Sequence, residues 1–228
     1  MMFEQNLDPE YMERAMAFAF QEVPGDPEMG LPPKTRYLVI LASLLGEGAV
    51  DLFRELLPRA LDEGVTSVEV KEVVYQATDY IGLGRVWPFL KATNEVFAAR
   101  GIYLPLEDQS TTTKEDRLEK GVQAQVDIFG EGMRQAWKNG TINRWLADNC
   151  FGDYYTRKGL TLAQREMITF CYLMAQGGCE AQLIAHAKGN MNLGNNKDFL
   201  MQVVCQCLPY IGYPRSLNAV SCIQKAAE

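Results

Sequence analysis

A cysteine and the chain's single histidine stand seven residues apart and offer the clearest chemistry in the sequence. Cys179 follows Gly177 and Gly178, so we expect it in the first turn of a new helix, where unpaired N–H groups and the helix dipole favour a thiolate. His186 follows on the same helix face, about 10 Å further along the axis. An isolated imidazole titrates at about pH 6.5, which suits proton transfer. The spacing predicts that both side chains line one pocket.

These residue types also have ordinary structural interpretations. A free cysteine is more often packed as a small apolar residue, and His186 could cap a helix end just before Gly189. Glu166 stands in the first turn of another predicted helix, where it could stabilise the helix dipole or pair with Arg165 in solvent. Four other cysteines fall among apolar helical residues and are expected in the core: Cys171, Cys205, Cys207 and Cys222.

Cysteine and histidine usage narrows the cofactor chemistry. One histidine excludes a Cys₂His₂ zinc site, and no C-x₂-C pair begins another kind of site. The sequence also lacks G-x-x-x-x-G-K-[ST], a G-x-G-x-x-G loop after a strand, and G-x-S-x-G. We therefore expect no metal and no cofactor, and we expect the six cysteines to be reduced thiols.

The composition is that of a globular protein. The 228 residues are 47% hydrophobic and 22% charged. Twenty-two Lys and Arg against 29 Asp and Glu give a net charge of −7, which disfavours nucleic acid as a partner. No apolar run approaches the roughly 18 residues that span a bilayer, and acidic residues interrupt any signal-peptide core near the start. We expect a small-molecule substrate, no membrane and a cytoplasmic location.

Helix signals dominate the chain, and no segment alternates with period two for long. Thr66 with Glu69 and Thr161 with Gln164 form capping boxes, each opening a predicted helix. The fold class predicted is all-α. An N-terminal helix begins after Asp8, and further helices are predicted at residues 34–45, 49–63, 66–80, 85–100, 114–129, 144–149 and 161–176.

The sequence repeats itself internally. Residues 73–85 read VVYQATDYIGLGR and residues 203–215 read VVCQCLPYIGYPR, with seven of 13 positions identical at an offset of 130. The same offset carries Gly64 onto Gly194, and an offset one residue shorter carries Arg36 onto Arg165. Such self-similarity indicates duplication. The predicted organisation is an N-terminal helix and loop (1–33), a first repeat (34–101), a linker with helices (102–160) and a second repeat (161–228).

Some polar residues recur in both copies. Gln76 matches Gln206 and Tyr80 matches Tyr210. Because the first copy has no histidine or cysteine, this recurrence favours a packing role for all four. Arg215 follows the glycine turn of the second copy, where it could bridge the copies through a carboxylate or bind an acidic substrate.

The second half resembles a known family. The residues concerned read R-E-M-I-T-F-C-Y-L-M-A-Q-G-G-C (165–179), then His186-x-x-Gly189-Asn190, then L-P-Y-I-G-Y-P-R-x-L-N-A (208–219). They resemble the carboxymuconolactone decarboxylase family, which includes the alkylhydroperoxidase D-type proteins. The resemblance implies all-helical subunits in rings of six copies, which a tandem chain would form as a homo-oligomeric trimer. With it we take Arg165, Asn190 and Arg215 as candidate substrate-binding residues.

The resemblance implies two alternative reactions. Peroxidase members carry C-x-x-C-x-x-x-H with a proton-relaying glutamate on the preceding helix. Cys179 and His186 match the first cysteine and the histidine, Gln182 stands in the second cysteine's place, and Glu166 lies one position from the glutamate. Decarboxylase members need neither thiol nor cofactor.

Three hypotheses follow. The first is a cofactor-free, decarboxylase-type lyase acting on a small acidic or carbonyl compound, with His186 transferring protons. The second is a single-cysteine thiol peroxidase of peroxiredoxin type centred on Cys179. The third is a non-catalytic helical assembly protein. The 130-residue offset carries Cys179 onto Ala49 and His186 onto Leu56, and neither Ala49 and Val50 nor Glu55 and Leu56 supply a thiol or an imidazole. We therefore expect one site per chain, among the helices around Glu166, Cys179 and His186.

Overall fold

The computed structural model describes residues 8–228, so residues 1–7 of the predicted N-terminal segment lie outside the described part. No strand occurs in residues 8–228, and the all-α prediction is confirmed. No helix in this part of the chain is long and apolar enough to cross a membrane. Its α-helices are α1 (Pro9–Ala17), α2 (Val23–Gly25), α3 (Pro33–Glu47), α4 (Val50–Asp62), α5 (Ser67–Ile81), α6 (Leu83–Ala99), α7 (Arg117–Phe129), α8 (Thr141–Trp145), α9 (Leu162–Gln176), α10 (Glu180–Asn192), α11 (Lys197–Ile211) and α12 (Tyr213–Ala227).

Three further segments have other helical geometries. Phe18–Glu22 and Leu146–Tyr155 are π-helical, and Glu131–Lys138 is a 3₁₀-helix. The sequence predicted only a short helix at residues 144–149, whereas α8 runs directly into the π-helical segment and continues to Tyr155. Helical turns wider than the α-helix are often found at functional sites.

The predicted capping boxes are both present. Thr66 accepts from the backbone N–H of Glu69, whose carboxylate accepts from the Thr66 N–H, and α5 begins there. Thr161 and Gln164 open α9 in the same way. Gly82 follows the end of α5 with a φ of 81°, a conformation that favours glycine, and the chain then turns into α6.

The duplication predicted from the sequence is confirmed in the order and lengths of the helices. α3 and α9 have 15 residues each, α4 and α10 have 13, and α5 and α11 have 15. α6 and α12 follow with 17 and 15 residues. Each unit of four helices is preceded by a π-helical segment. One hydrophobic core runs through both units.

The two copies meet where α3 crosses α9. A Cβ on Gly46 would lie 2.6 Å from the Tyr172 carbonyl oxygen, so only glycine permits this approach. Polar side chains also cross between the copies. Arg36 Nε donates to Gln206 Oε1 at 2.8 Å, and Arg165 donates from its guanidinium to Gln76 Oε1 at 2.9 Å. α5 of the first copy is thereby held against α9 of the second.

Candidate active site

A carboxylate and the histidine form a buried pair between α9 and α10. Glu166 is fully buried, and its Oε2 lies 2.9 Å from His186 Nδ1. Oε1 lies 3.1 Å from the same nitrogen. In the tautomer whose Nδ1 carries a proton, Nδ1 donates a hydrogen bond to the Glu166 carboxylate. Nε2 is then the ring nitrogen that can exchange a proton with a ligand.

The H-x-x-G-N sequence at 186–190 builds this pair. A Cβ on Gly189 would lie 2.7 Å from Glu166 Oε2, so the glycine makes room for the carboxylate. Asn190 is also fully buried, and its Nδ2 donates to the backbone carbonyls of Glu166 at 2.9 Å and His186 at 2.8 Å. These contacts fix the two helices at the point where the reactive side chains meet. They also correct the assignment of Asn190 to substrate binding, because its amide is occupied by the protein backbone.

Two tyrosines extend the hydrogen-bond chain behind the carboxylate. Tyr155, from the π-helical segment, donates to Glu166 Oε1 at 2.9 Å. Tyr80, from α5 of the first copy, lies with its hydroxyl 2.6 Å from that of Tyr155. Because the Tyr155 proton is used on Glu166, Tyr80 donates to Tyr155. Burial raises the pKa of both phenols well above their usual range, so they remain neutral donors.

The imidazole opens onto a pocket of about 810 Å³. Tyr80 and Phe129 flank the ring edge-to-face, each with its centroid 5.5 Å from that of His186. These rings hold the imidazole and exclude water from its sides. The pocket wall combines apolar and polar side chains, including Asp79, Tyr80, Gln125, Phe129, Met133, Leu146, Phe151, Leu173, Gln176, Cys179, Gln182, His186 and Lys188.

Cys179 lines the same pocket as a thiol. It is the residue before α10 rather than part of its first turn. Its Sγ donates to the Leu173 carbonyl at 3.4 Å, and Gln176 Nε2 donates to the sulfur at 3.6 Å. Burial raises its pKa above the ordinary value, with the Gln176 contact opposing the rise. The expected lowering of the thiol pKa by the helix end is therefore wrong.

The sequence matches the carboxymuconolactone decarboxylase family at residues 9–95 and again at residues 141–225. The chain belongs to this family. The two matches cover most of the chain and correspond to the two copies seen in the fold. Both begin upstream of the four-helix units, so each includes the π-helical segment that precedes its unit.

A curated member of the carboxymuconolactone decarboxylase family gives a second comparison. The chain is 39% identical over 112 residues to the 4-carboxymuconolactone decarboxylase of Acinetobacter baylyi (strain ATCC 33305 / BD413 / ADP1). The aligned region is 46% of this chain and 83% of that protein.

Arg165 does not reach the pocket. Its side chain is fully buried and pairs with Glu72 at 2.9 Å, and it also donates to Gln76 and to the carbonyls of Arg157 and Lys158. Because the guanidinium is completely buried and is not among the residues that line the pocket, it cannot reach a substrate there, which corrects its assignment to substrate binding.

Arg215 lies outside the residues that line the pocket. It forms an ion pair with Glu47 at the end of α3. The expectation that this arginine bridges the two copies through a carboxylate is confirmed.

Sequence reasoning missed the residues that the first copy brings to the site of this family member. Tyr80 was expected to serve packing alone, and Asp79 was not singled out. Tyr155 was missed as well, although it belongs to the π-helical segment within the second match. The available signal was the repeat itself: α5 of one copy packs on α9 of the other, so side chains near the end of α5 reach the partner copy's site.

Proposed function

We propose that this chain is a cofactor-free decarboxylase acting on a small carboxylic acid of the 4-carboxymuconolactone type. The observation that carries the proposal is the buried Glu166–His186 pair beside the pocket, with Nδ1 and Oε2 2.9 Å apart. The relative from Acinetobacter baylyi supplies the substrate class, since its name describes the decarboxylation of a lactone acid.

The chemistry required is limited to one proton and one leaving group. When the bond between carbon and the carboxylate breaks, CO₂ leaves and its electron pair enters a conjugated carbonyl system. A proton must then reach carbon, and His186 Nε2 is placed to deliver it. Glu166 orients the ring and offsets the positive charge that the ring carries with the second proton. The surrounding aromatic side chains limit water's access to the reacting carbon.

Turnover of 4-carboxymuconolactone, followed by CO₂ release, tests the proposal. We expect His186→Asn to lower kcat by about 10²- to 10⁴-fold, the range typical of a lost acid–base group. Glu166→Gln keeps the size of the side chain but removes the charge, and we expect a smaller loss. Wild-type protein that releases no CO₂ from this lactone would refute the assignment.

The thiol peroxidase remains a second candidate because Cys179 lines the same pocket as His186. Two observations disfavour the peroxidase reaction: the pKa of the Cys179 thiol is raised, and Gln182 stands where a second cysteine would be needed. Cys179→Ser separates the two reactions: it leaves decarboxylation intact and abolishes consumption of an organic hydroperoxide with dithiothreitol. Loss of decarboxylation in this variant would contradict the first candidate's mechanism.

We also propose that the chain self-associates, as a trimer of tandem chains. Large apolar side chains are exposed at equivalent positions of α6 and α12: Leu83 with Tyr213, and Trp87 with Leu217. Apolar surface of this kind favours burial against another subunit. Sedimentation at micromolar concentration is expected to give a mass above 25.6 kDa, and a monomer throughout would refute the expectation.

A further inference from the structure

Two buried polar groups of the pocket have no role in the chemistry described so far. Asp79 Oδ2 and Gln125 Oε1 are both buried with no hydrogen-bond partner in the described part of the chain. Both residues line the pocket, and Gln125 is only 2% exposed. Buried polar atoms are nearly always paired in folded proteins, so unpaired ones beside a pocket indicate a ligand that pairs with them.

Asp79 and Gln125 stand on the two helices whose aromatic rings flank the imidazole, and both line the same pocket as His186. Asp79 immediately precedes Tyr80 on α5, and Gln125 stands one turn before Phe129 on α7. Tyr80 and Phe129 are the two rings that flank His186. The unpaired carboxyl and the unpaired amide therefore come from the two helices that enclose the imidazole.

The carboxyl of Asp79 carries a proton in about half of the molecules at pH 7 and in more of them below it, so it can donate a hydrogen bond. Burial raises its pKa to about 7, the Asp153 charge adds to the rise, and a contact with Cys150 opposes it. No salt bridge to Asp79 occurs among residues 8–228. The titratable groups around it are Cys150, Asp153 and Tyr154 of the π-helical segment, Tyr172 of α9, and Cys179, His186 and Lys188 along the pocket.

We propose that Asp79 and Gln125 form a carbonyl-binding subsite, in which two groups donate hydrogen bonds to one carbonyl oxygen of the substrate. One donor is the protonated carboxyl of Asp79, and the other is the Gln125 amide, turned by 180° so that Nε2 takes the place of the unpaired Oε1. The inference rests on the proposed decarboxylation. As CO₂ leaves, the electron pair of the broken bond passes through the conjugated double bond and makes that carbonyl oxygen an enolate oxygen. His186 then protonates carbon, and the electron pair returns to restore the carbonyl. Donors aimed at the oxygen that gains charge favour the transition state over the ground state.

The subsite predicts a specific pattern of kinetics with 4-carboxymuconolactone. Asp79→Ala and Gln125→Leu each lower kcat at least 30-fold, because each removes one donor from the enolate oxygen. Gln123→Leu makes the same chemical change on an exposed face of α7 and is the matched control, expected to stay within twofold of wild type. Asp79→Asn retains a donor that does not ionise. Wild-type kcat falls as pH rises through 7, and in Asp79→Asn this fall moves upward by at least one pH unit.

A binding measurement keeps the subsite testable apart from turnover. The probe is γ-butyrolactone, a neutral lactone without a carboxylate, and its dissociation constant is measured by saturation-transfer NMR. We expect at least fivefold weaker binding to Asp79→Ala and Gln125→Leu, and no change in Gln123→Leu. Circular dichroism checks that each variant is folded.

The outcomes separate the two proposals. If wild type turns over the lactone acid while Asp79→Ala and Gln125→Leu stay within twofold and the pH profile of Asp79→Asn is unchanged, the subsite is overturned and the decarboxylase stands. If wild type has no turnover, the proposed function is overturned. In that case weaker γ-butyrolactone binding to both variants supports the subsite, and unchanged binding overturns it as well.

Discussion

Gly189→Ala tests whether the packing around Glu166 sets the geometry of the Glu166–His186 pair. The added Cβ would lie 2.7 Å from Glu166 Oε2, 2.8 Å from Phe129 Cε1 and 2.9 Å from Ile128 Cγ2. Ordinary van der Waals contact begins at 3.4 Å, so all three neighbours must move. A shift of the carboxylate changes its contacts with His186 Nδ1, which lies 2.9 Å from Oε2 and 3.1 Å from Oε1.

Two opposing terms set the size of the effect on stability. Overpacking a buried site by one methyl group costs about 1–3 kcal/mol, whereas alanine is favoured over glycine inside a helix by about 1 kcal/mol. Gly189 is helical, so both terms apply, and we expect the free energy of unfolding to change by between about 0 and −2 kcal/mol. Gly84→Ala in α6 is the matched control, because nothing lies within 4 Å of its added Cβ.

Thermal and urea unfolding at one protein concentration measure both variants. The difference between the free energies of unfolding of the two variants gives the cost of overpacking. A cost of about 1–3 kcal/mol corresponds to a Tm difference of roughly 2–12 °C for a chain of this size. We also expect Gly189→Ala to lose activity as Glu166 is displaced, while Gly84→Ala retains it. Equal free energies of unfolding, with full activity in both variants, would refute the argument that Gly189 seats the carboxylate.

Three other predictions follow from the buried ionisable groups. Burial raises the pKa of Cys179 above its ordinary 9.0, so the alkylation rate of this thiol by iodoacetamide, read by mass spectrometry, should still rise at pH 9; a plateau below pH 7.5 would contradict this. The folded-state pKa of Asp79 is about 7 against 3.8 ordinarily, so folding takes up protons between these values. The free energy of unfolding of wild type should therefore fall relative to Asp79→Asn as pH rises from 4 to 7, by at most about 1.4 kcal/mol per pH unit, and parallel urea profiles would exclude the shift. Glu72→Gln removes the charge opposite the buried Arg165 and leaves the guanidinium charge unpaired in the interior, so it should lower the free energy of unfolding by about 3–5 kcal/mol. A loss below about 1 kcal/mol in urea denaturation, the value of an exposed pair, would show that Arg165 does not depend on this partner.

The helices were predictable because their signals are local. The capping pairs at Thr66 and Thr161 depend on residues three positions apart, and the glycine turns at Gly82 and Gly212 depend on a single backbone conformation. The duplication was equally readable, since it requires only that two stretches of sequence match. None of these inferences depends on knowing which helix packs against which.

The candidate site was only half predictable, because part of it comes from the other copy. The H-x-x-G-N sequence and Glu166 lie within 25 residues of one another, and their pairing follows from two adjacent helices. Tyr80 is 106 residues before His186 and reaches it only because α5 packs on α9. The local argument for Cys179 considered only the helix end and left out burial of the sulfur, which raises the pKa of the thiol.

Recurrence in both copies was a misleading guide to the role of Tyr80. Because each copy lends its α5 or α11 to the other, Tyr80 serves the site of the second copy, and Tyr210 serves the equivalent place in the first. There Tyr37 and Leu56 stand where Glu166 and His186 would be. Tyr210 has no hydrogen-bond partner for its hydroxyl among the described residues, whereas Tyr80 joins the chain that ends at His186.

The same tyrosine is thus present in both copies, but a carboxylate and an imidazole stand beside it only in the second. The first copy cannot transfer a proton at its own equivalent position, since Leu56 and Tyr37 offer neither imidazole nor carboxylate. It supplies instead one wall of the other copy's pocket through Asp79 and Tyr80. Substitutions at Leu56 act on stability alone, while substitutions at Tyr80 act on the pocket 106 residues away in sequence.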